Sequence, residues 1–523
     1  MFKGLLDQVQ RISFCNMKVL LKMQIRKSFC NLQKINFKNL DKFNLGLGED
    51  INMSGIKNEV MLITYADSLG KNLKELKEVL DYHYSGAIGG VHILPFFPSS
   101  GDRGFAPKRY DVVDEAFGNM IDVKEISKNN YLMYDFMVNH ISRQSEFFED
   151  FQEKKDESKY SDFFIRYKDF WENGEPTKEQ VDAIYKRKPR APYYKVEFKD
   201  GSTEKVWCTF AEEQIDLNMD SKVARQFIKD TLISMCENGA SIIRLDAFAY
   251  AIKKPGTSCF FIEPEMWDLL YEIQDTVNKY GVDILPEIHE HYTIQHKIAE
   301  KGFWIYDFAL PVLVLHALYS GKGENLKRWL DMSPMKQFTT LDTHDGIGIV
   351  DVKDLMTDEE IDETKEAMFT KGANVKKIYN TAAYNNLDIY QVNCTYYSAL
   401  GNNDKSYLLA RAIQFFAPGI PQVYYVGMLA GENDIELMEA TKNGRDINRH
   451  YYSKEEIREN FENRKIVNDI RDLMKLRNTN LAFGLDGECI TEVNGSEINI
   501  IRKCGEYTLT LKANLKTYEF SID

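Results

Sequence analysis

Eight short apolar runs recur along the chain from residue 61 onward, and amphipathic stretches such as NLKELKEVLDYHY separate several of them. The runs are MLITYAD (61–67), GVHILPFF (90–97), YLMYDFMVNH (131–140), SIIRLDAF (241–248), DILPEIH (283–289), FWIYDFAL (303–310), FTTLDTHD (338–345) and GIPQVYYVG (419–427). Near-continuous apolar strands that alternate with helices are typical of a parallel sheet covered on both faces. Eight such strands predict an α/β fold of the (β/α)8 TIM barrel type.

Polar and charged side chains fall at the C-terminal ends of these runs. They are Asp67, Asn139, His140, Arg244, Asp246, Glu287, His289, His344 and Asp345. A lone Arg-x-Asp, as at Arg244 and Asp246, is more often a structural ion pair, because an unpaired charge is costly to bury. Scattered core ion pairs, however, would not all fall at strand ends. Because barrel active sites are built at the C-terminal rim, these residues predict a catalytic pocket.

The segments between the runs predict the domain organisation. Long stretches after the third and seventh strands indicate insertions on the rim, and period-two alternation near the C-terminus indicates antiparallel strands. The first 52 residues differ, since nine Lys/Arg face four Asp/Glu there without clear turn or cap signals. The predicted divisions are an N-terminal extension outside the core (1–52), the first part of the barrel (53–140), an inserted domain (141–220), the second part of the barrel (221–345), a second inserted region (346–401), the last part of the barrel (402–485) and a small C-terminal antiparallel β domain (486–523).

Charge and cysteine content argue against several function classes. The chain of 523 residues has a net charge of −14, which argues against nucleic-acid and anionic-membrane partners because both require a basic face. No run approaches about 18 uninterrupted apolar residues, so no membrane span is expected. Eight cysteines without a Cys-x-x-Cys pair indicate reduced thiols rather than a disulfide framework or a zinc site. We expect a cytoplasmic protein, either a monomer or a homodimer.

Three of the strand-end carboxylates, Asp246, Glu287 and Asp345, suit glycoside cleavage. In that chemistry one carboxylate attacks or supports the anomeric carbon and another gives a proton to the departing oxygen. The motifs that carry them are DFMVNH (135–140), RLDAF (244–248), PEIHEH (286–291) and TLDTHDG (340–346). With these four motifs in this order, the chain resembles the α-amylase superfamily (glycoside hydrolase family 13), whose members are retaining α-glycosidases.

Further segments are similar to the sucrose phosphorylase family within that superfamily. They include GGVHILPFFPSSGDRGFAP, TFAEEQID, NNLDIYQVNCTYYSALG and NGRDINRHYY. The resemblance implies that sucrose and phosphate react to give α-D-glucose 1-phosphate and D-fructose. It also implies a double displacement with retention, through a covalent glucosyl-Asp and without a cofactor or a metal.

The resemblance assigns roles to individual residues. Asp246 would be the nucleophile, Glu287 the general acid and then base, and Asp345 the transition-state stabiliser. The other implied substrate-binding residues are Asp102, Phe105, His140, Phe210, Arg244, Leu245, His344, Asp388, Ile389, Tyr390, Gln391 and Arg449, of which 388–391 would line the acceptor side. A carboxylate beside Arg244 stays ionised near neutral pH, as a nucleophile must. Glu287 must start protonated, so we expect burial and neighbouring carboxylates to raise its pKa.

Two sequence patterns, a pair of histidines and a run of basic residues, each have a structural and a functional interpretation. The spacing of His289 and His291 is similar to that of metal ligands, but a histidine next to a catalytic glutamate more often packs or hydrogen-bonds, so no metal is expected. The run YKRKPRAPYY (185–194) is more often a solvated loop. In an enzyme that uses phosphate, it would instead bring Lys186, Arg187 or Lys188 towards the anion.

Three other functions stay open at this point. One is a phosphorylase for sucrose 6'-phosphate or for another α-glucosyl acceptor such as glycerate. The second is a plain hydrolase, which would release glucose without phosphate. The third is a non-catalytic sugar-binding barrel, which the presence of all three carboxylates disfavours.

Overall fold

Eight parallel strands form a nearly closed barrel in the computed structural model, which describes residues 55–188, 190–373 and 391–523. They are β1 (Met61–Thr64), β2 (Gly90–Ile93), β3 (Tyr131–Met137), β4 (Ala240–Asp246), β5 (Asp283–Pro286), β6 (Ile305–Asp307), β7 (Gln337–Thr339) and β8 (Ile420–Tyr424). Their hydrogen-bonded order is β6–β7–β8–β1–β2–β3–β4–β5. Each predicted apolar run overlaps one strand, and the (β/α)8 prediction is confirmed.

Helices, most of them amphipathic, cover the outside of the barrel. The main ones are Leu73–His83, Met120–Ser127, Lys222–Glu237, Glu265–Asn278, Tyr292–Glu300, Leu310–Ser320, Glu324–Met332, Asp404–Phe416, Lys454–Asn463 and Lys465–Thr479. The first of them shows why these segments become helical. The Asn72 side chain accepts a hydrogen bond from the backbone N–H of Glu75, which satisfies one of the free donors at the helix start. Leu73, Leu76 and Leu80 recur at helical spacing and are buried.

Two insertions interrupt the barrel on its rim. The one after β3 contains helices Glu146–Lys154, Tyr167–Phe170 and Lys178–Ala183 and the hairpin Tyr193–Glu197/Thr203–Trp207, and its strand Gln214–Asp216 pairs with His140–Ser142. The one after β7 contains helix Asp358–Thr370 and the pair Ile347–Gly348/Gln391–Val392. Both insertions were predicted. The boundaries given from the sequence stay predictions, and residues 1–52 lie outside the described ranges.

The C-terminal residues form a separate four-stranded antiparallel sheet. Its strands are β9 (Glu488–Asn494), β10 (Glu497–Cys504), β11 (Tyr507–Asn514) and β12 (Phe520–Ile522), in sequential order. The predicted small β domain is therefore confirmed. Across the described residues, none of the helices is long and apolar enough to cross a membrane.

A buried ion pair fixes the loop that follows β7. The Arg411 guanidinium lies 2.6 Å from Asp342, and 0% and 3% of the two side chains are exposed. Gly427 lies against the pair, because a Cβ at that position would be 1.9 Å from the Arg411 Nη2 atom and 2.2 Å from Asp342 Oδ2. Only glycine allows this close approach. The pair therefore anchors the start of the segment that carries His344 and Asp345.

Arg411→Met is expected to lower the free energy of unfolding by about 3 to 5 kcal/mol, since it leaves the buried Asp342 carboxylate without a partner. Arg458→Met is the matched control, because the pair between Arg458 and Glu462 is exposed. We expect that control to change stability by less than about 1 kcal/mol. Urea unfolding of both variants measures the difference. Equal losses would contradict the anchoring role.

Candidate active site

The Arg244 side chain lies at the centre of three carboxylates. Its Nη1 atom contacts Asp135 Oδ1 and lies 3.0 Å from Asp246 Oδ1, while Nη2 lies 3.8 Å from Glu287 Oε1. The register of the barrel explains the cluster, since Asp135 on β3 is directly opposite Arg244 on β4. Side chains alternate along a strand, so Arg244 and Asp246 share one face. One buried cation therefore joins the C-terminal ends of three neighbouring strands.

Two further buried side chains, His92 and Gln422, hold Asp135 in place. The His92 Nε2 atom lies 2.7 Å from Asp135 Oδ2, and the Gln422 amide lies 3.2 Å from the other ring nitrogen of His92. All three side chains are fully buried. Burial alone would raise the pKa of Asp135, but His92 and then Arg244 outweigh it and lower that pKa to about 2. Asp135 is thus a permanent anion that holds the Arg244 guanidinium in place.

Asp246 and Glu287 face each other across Arg244 at the mouth of the barrel. The backbone N–H of Ala247 donates to Glu287 Oε2 at 3.1 Å, and the Glu287 N–H donates to the Leu245 carbonyl at 3.0 Å. Burial raises the pKa of Asp246 to about 8, with Arg244 acting in the opposite direction and Glu287 adding to the rise. Burial therefore outweighs the adjacent guanidinium, and the expectation that Arg244 keeps Asp246 ionised near neutral pH is wrong for the protein without a ligand.

Positively charged side chains surround Asp345. Its Oδ1 atom lies 3.1 Å from Arg445 Nη1, and the same nitrogen lies 3.6 Å from Asp102 Oδ2. Burial would raise the pKa of Asp345, but Arg445, then His344 and Arg449, hold it far below its usual range. Asp345 is therefore a fixed negative charge at any pH of interest.

Aromatic and histidine rings form the walls of the pocket. The rings of Phe105 and His344 stack with centroids 4.9 Å apart and planes 6° apart. Arg449 is buried and donates from Nε and Nη2 to the His344 carbonyl at 3.1 and 2.9 Å. The His140 Nε2 atom lies 3.0 Å from the Phe105 carbonyl, and the Phe210 ring packs edge-on against His140 with the centroids 5.5 Å apart. These contacts join Phe105, His140, Phe210 and His344 into one group.

The three central carboxylates remain reachable from solvent. Asp246, Glu287 and Asp345 keep 14%, 13% and 15% of their side chains exposed, whereas Asp135 keeps none. A ligand at the rim can thus touch the first three but not Asp135. Two carboxylates joined by a cation, with a third permanent anion beside them, suit the cleavage of a glycosidic bond.

Comparison with known proteins assigns the chain to a family. A family model described as "Alpha amylase, catalytic domain" matches residues 50–475. The chain belongs to the α-amylase family. The resemblance predicted from four motifs is therefore confirmed, and its three carboxylates lie where this barrel brings strand ends together.

Several relatives within the α-amylase family are phosphorylases. The chain is 56% identical over 470 residues to a sucrose phosphorylase of Streptococcus mutans, covering 89% of this chain and 98% of that one. It is 44% identical over 478 residues to a sucrose 6(F)-phosphate phosphorylase of Thermoanaerobacterium thermosaccharolyticum, covering 90% and 97%. A crystal structure of sucrose 6F-phosphate phosphorylase from Thermoanaerobacter thermosaccharolyticum superposes with a TM-score of 0.85 at 43% identity, covering 91% and 97%.

Most of the predicted site residues meet at this rim. Asp102, Phe105, His140, Phe210, Arg244, Asp246, Glu287, His344, Asp345 and Arg449 make the contacts described above. Leu245 differs, because its side chain is fully buried in the hydrophobic core and only its carbonyl reaches the site, where it accepts from Glu287. Gln391 is half-buried in the short strand pair after β7. Asp388, Ile389 and Tyr390 lie outside the described residues.

Sequence reasoning missed four residues that shape the site. Asp135 and His92 lie inside apolar runs rather than at their ends, and the strand-end rule passes over them. Arg445 stands four residues before Arg449 in the segment NGRDINRHYY, where only the second arginine was chosen. Asp351 lies 3.4 Å from His289 Nδ1, whose Nε2 is 3.4 Å from Glu287. A buried charge within an apolar run is the signal that would have identified Asp135.

Asp135→Asn is expected to remove a contribution to stability that depends on pH. Because the folded pKa of about 2 lies below the ordinary value of 3.8, the contribution is present above about pH 4 and is lost as pH falls towards 2. The difference in unfolding free energy between wild type and variant is expected to shrink by about 1 kcal/mol between pH 7 and pH 3.

Urea unfolding at the two pH values measures this difference. Asp472→Asn, at an exposed carboxylate, is the control and is expected to differ from wild type by less than about 0.5 kcal/mol at both. A difference for Asp135→Asn that is the same at pH 7 and pH 3 would contradict the assigned charge state.

Proposed function

We propose that the protein is a sucrose phosphorylase, a hexosyltransferase that converts sucrose and phosphate into α-D-glucose 1-phosphate and D-fructose. The observation that carries the proposal is the Arg244 cluster, in which Asp246 and Glu287 lie 3.0 and 3.8 Å from one guanidinium, beside the anionic Asp345. The 56% identity to a sucrose phosphorylase over nearly its whole length supports the choice of substrate. The cytoplasmic location and the monomeric or homodimeric state stay predictions.

In the first half-reaction, the Asp246 carboxylate attacks the anomeric carbon of the glucosyl unit. The bond between that carbon and the bridging oxygen breaks, and Glu287 gives its proton to the oxygen as fructose leaves. Arg244, 3.0 Å from Asp246, favours the ionised form of the nucleophile and so counteracts the effect of burial. The product is a glucosyl ester of Asp246.

In the second half-reaction, phosphate takes the place of fructose. A phosphate oxygen attacks the anomeric carbon, the ester bond to Asp246 breaks, and Glu287 accepts the proton that the phosphate loses. Two inversions at one carbon give retention, so the product is the α-anomer. Glu287 ends protonated and Asp246 ionised, ready for the next sucrose.

Asp345 stabilises the positive charge that develops on the sugar ring in both transition states. A fixed anion serves this role best because it needs no reorganisation during the reaction. The low pKa that Arg445, His344 and Arg449 impose keeps Asp345 charged throughout. Asp102, His140 and Arg449 are proposed to hold the glucosyl hydroxyls, and Phe105 and Phe210 to pack against its apolar face.

Sucrose 6'-phosphate is the second candidate donor, because the insertion after β3 carries a cluster of cations. Lys186, Arg187 and Lys188 line a small cavity together with Tyr250. The Arg187 guanidinium lies 5.4 Å from the Tyr250 ring, which packs on Phe210 at 5.2 Å. This chain of contacts suits an anion that is either free phosphate or part of the donor.

Unphosphorylated sucrose is expected to be the preferred donor. Asp388, on the predicted acceptor side, would repel a 6'-phosphate of charge near −2 by roughly 1 to 4 kcal/mol at close range. Incubation with sucrose or sucrose 6'-phosphate, with and without inorganic phosphate, measures the products. Asp246→Asn is the control and is expected to lose several powers of ten in rate. A higher kcat/KM on sucrose 6'-phosphate would favour the second candidate, and glucose release without phosphate dependence would indicate a hydrolase.

Glu287→Gln is expected to lose far more activity on sucrose than on α-glucosyl fluoride, because fluoride leaves without a proton. The loss on sucrose is expected to be on the order of a hundredfold or more, and the formation of the ester from the fluoride is expected to change much less. Burst kinetics with each donor separate that step from the second half-reaction. Equal losses of ester formation on both donors would argue against the acid role.

A further inference from the structure

The turn that carries Asp102 has an unfavourable backbone conformation. Asp102 and Arg103 have φ angles of +46° and +51°, a region that side chains with a Cβ rarely adopt. The hydrogen bonds within the turn, from Gly104 N–H to Gly101 O and from Phe105 N–H to Asp102 O, are both 3.3 Å long. Such weak bonds do not by themselves hold two residues in a left-handed conformation. Contacts from outside the turn must therefore stabilise it.

One side of the turn is held by close packing. Gly104 has a φ of +105°, and a Cβ at this position would lie 2.3 Å from the carbonyl oxygen of Pro95. The backbone of the turn thus rests directly on the segment that follows β2. This contact fixes the C-terminal end of the turn but does not explain the conformation of Asp102 and Arg103.

The Arg103 side chain supplies the other contacts. Its Nη2 atom donates to Asp67 Oδ1 at 2.5 Å, and its guanidinium lies 4.0 Å from the Tyr65 ring centroid and 4.6 Å from that of Tyr451. A planar cation between two aromatic faces, with a carboxylate at its edge, has a single well-defined position. Tyr65 and Asp67 follow β1, and Tyr451 lies beyond β8. Arg103 therefore connects three separate segments of the rim.

The side chains of Asp102 and Arg103 contact different groups. Asp102 faces Arg445 at 3.6 Å, and Arg445 in turn contacts Asp345 at 3.1 Å. We propose that Arg103 is a positioning residue: its contacts with Asp67, Tyr65 and Tyr451 hold the turn in the conformation that directs Asp102 at the donor sugar. The inference deepens the proposed function, since it assumes that Asp102 contacts that sugar.

Hydrogen–deuterium exchange of the full chain tests the conformational half of the proposal without needing turnover. In Arg103→Met, the amides of Gly104 and Phe105 are expected to exchange on the order of tenfold faster than in wild type. Asp67→Asn is expected to give the same change, and Arg103→Lys a smaller one. Arg109→Met is the matched control, because Arg109 pairs with Asp111 in the same loop at 2.5 Å while both side chains are mostly exposed. Unchanged exchange in the first two variants would overturn the proposal.

A double-mutant cycle tests whether Arg103 acts through Asp102. Arg103→Met alone is expected to lower kcat/KM for the donor about tenfold, but less than about twofold in an Asp102→Ala background. Arg109→Met is expected to leave kcat/KM unchanged in both backgrounds. Additive losses with an active wild type would overturn the positioning role alone. An inactive wild type would instead overturn the proposed function, and the exchange experiment would then decide on the turn by itself.

Discussion

The contact between the Arg244 guanidinium and Asp135 is the interaction on which the rest of the site depends. A buried arginine needs anionic partners, and Asp135 is one that no ligand can reach. Asp135 permanently balances part of the positive charge of the Arg244 guanidinium. Arg244 can therefore interact with Asp246 and Glu287 without being neutralised by either. The barrel makes this possible, since parallel strands bring residues from β3, β4 and β5 to one level at the rim.

Charge is arranged around the pocket so that neighbouring carboxylates have different protonation states. Asp345 is surrounded by arginines and histidine and stays ionised, whereas burial raises the pKa of Asp246. Two aspartates therefore differ in charge because of their surroundings alone. The proposed retaining mechanism needs such a division between a nucleophile, an acid and a permanent anion.

Rim segments far apart in sequence are held by a few arginines that are buried or half-buried. Arg411 anchors the loop after β7 through Asp342, Arg449 holds the backbone at His344, and Arg103 connects the turn after β2 to two other segments. Loops are normally the most mobile part of a barrel. Here planar guanidinium groups, each with several donors in fixed directions, connect the loops at the rim to other segments.

The eight strands, both insertions and the C-terminal sheet could be predicted from the sequence, because apolar runs and their periodicity are local properties. The same holds for Asp246, Glu287 and Asp345, since strand ends reach the rim wherever the barrel closes. The sequence could not show that Asp135 holds Arg244 or that Arg445 contacts Asp345, because these partners are distant along the chain. Nor could it show that the Leu245 side chain points into the core, which follows from the alternation along β4.

The sequence by itself thus determined the fold and which carboxylates lie at the ends of its strands. Only the tertiary structure decided which charges neutralise one another, because a pKa depends on distance and burial rather than on order in the chain. Asp246 next to Arg244 and Asp345 next to Arg445 are both Asp–Arg contacts, yet burial dominates in the first and positive charge in the second. That difference is a property of three-dimensional packing.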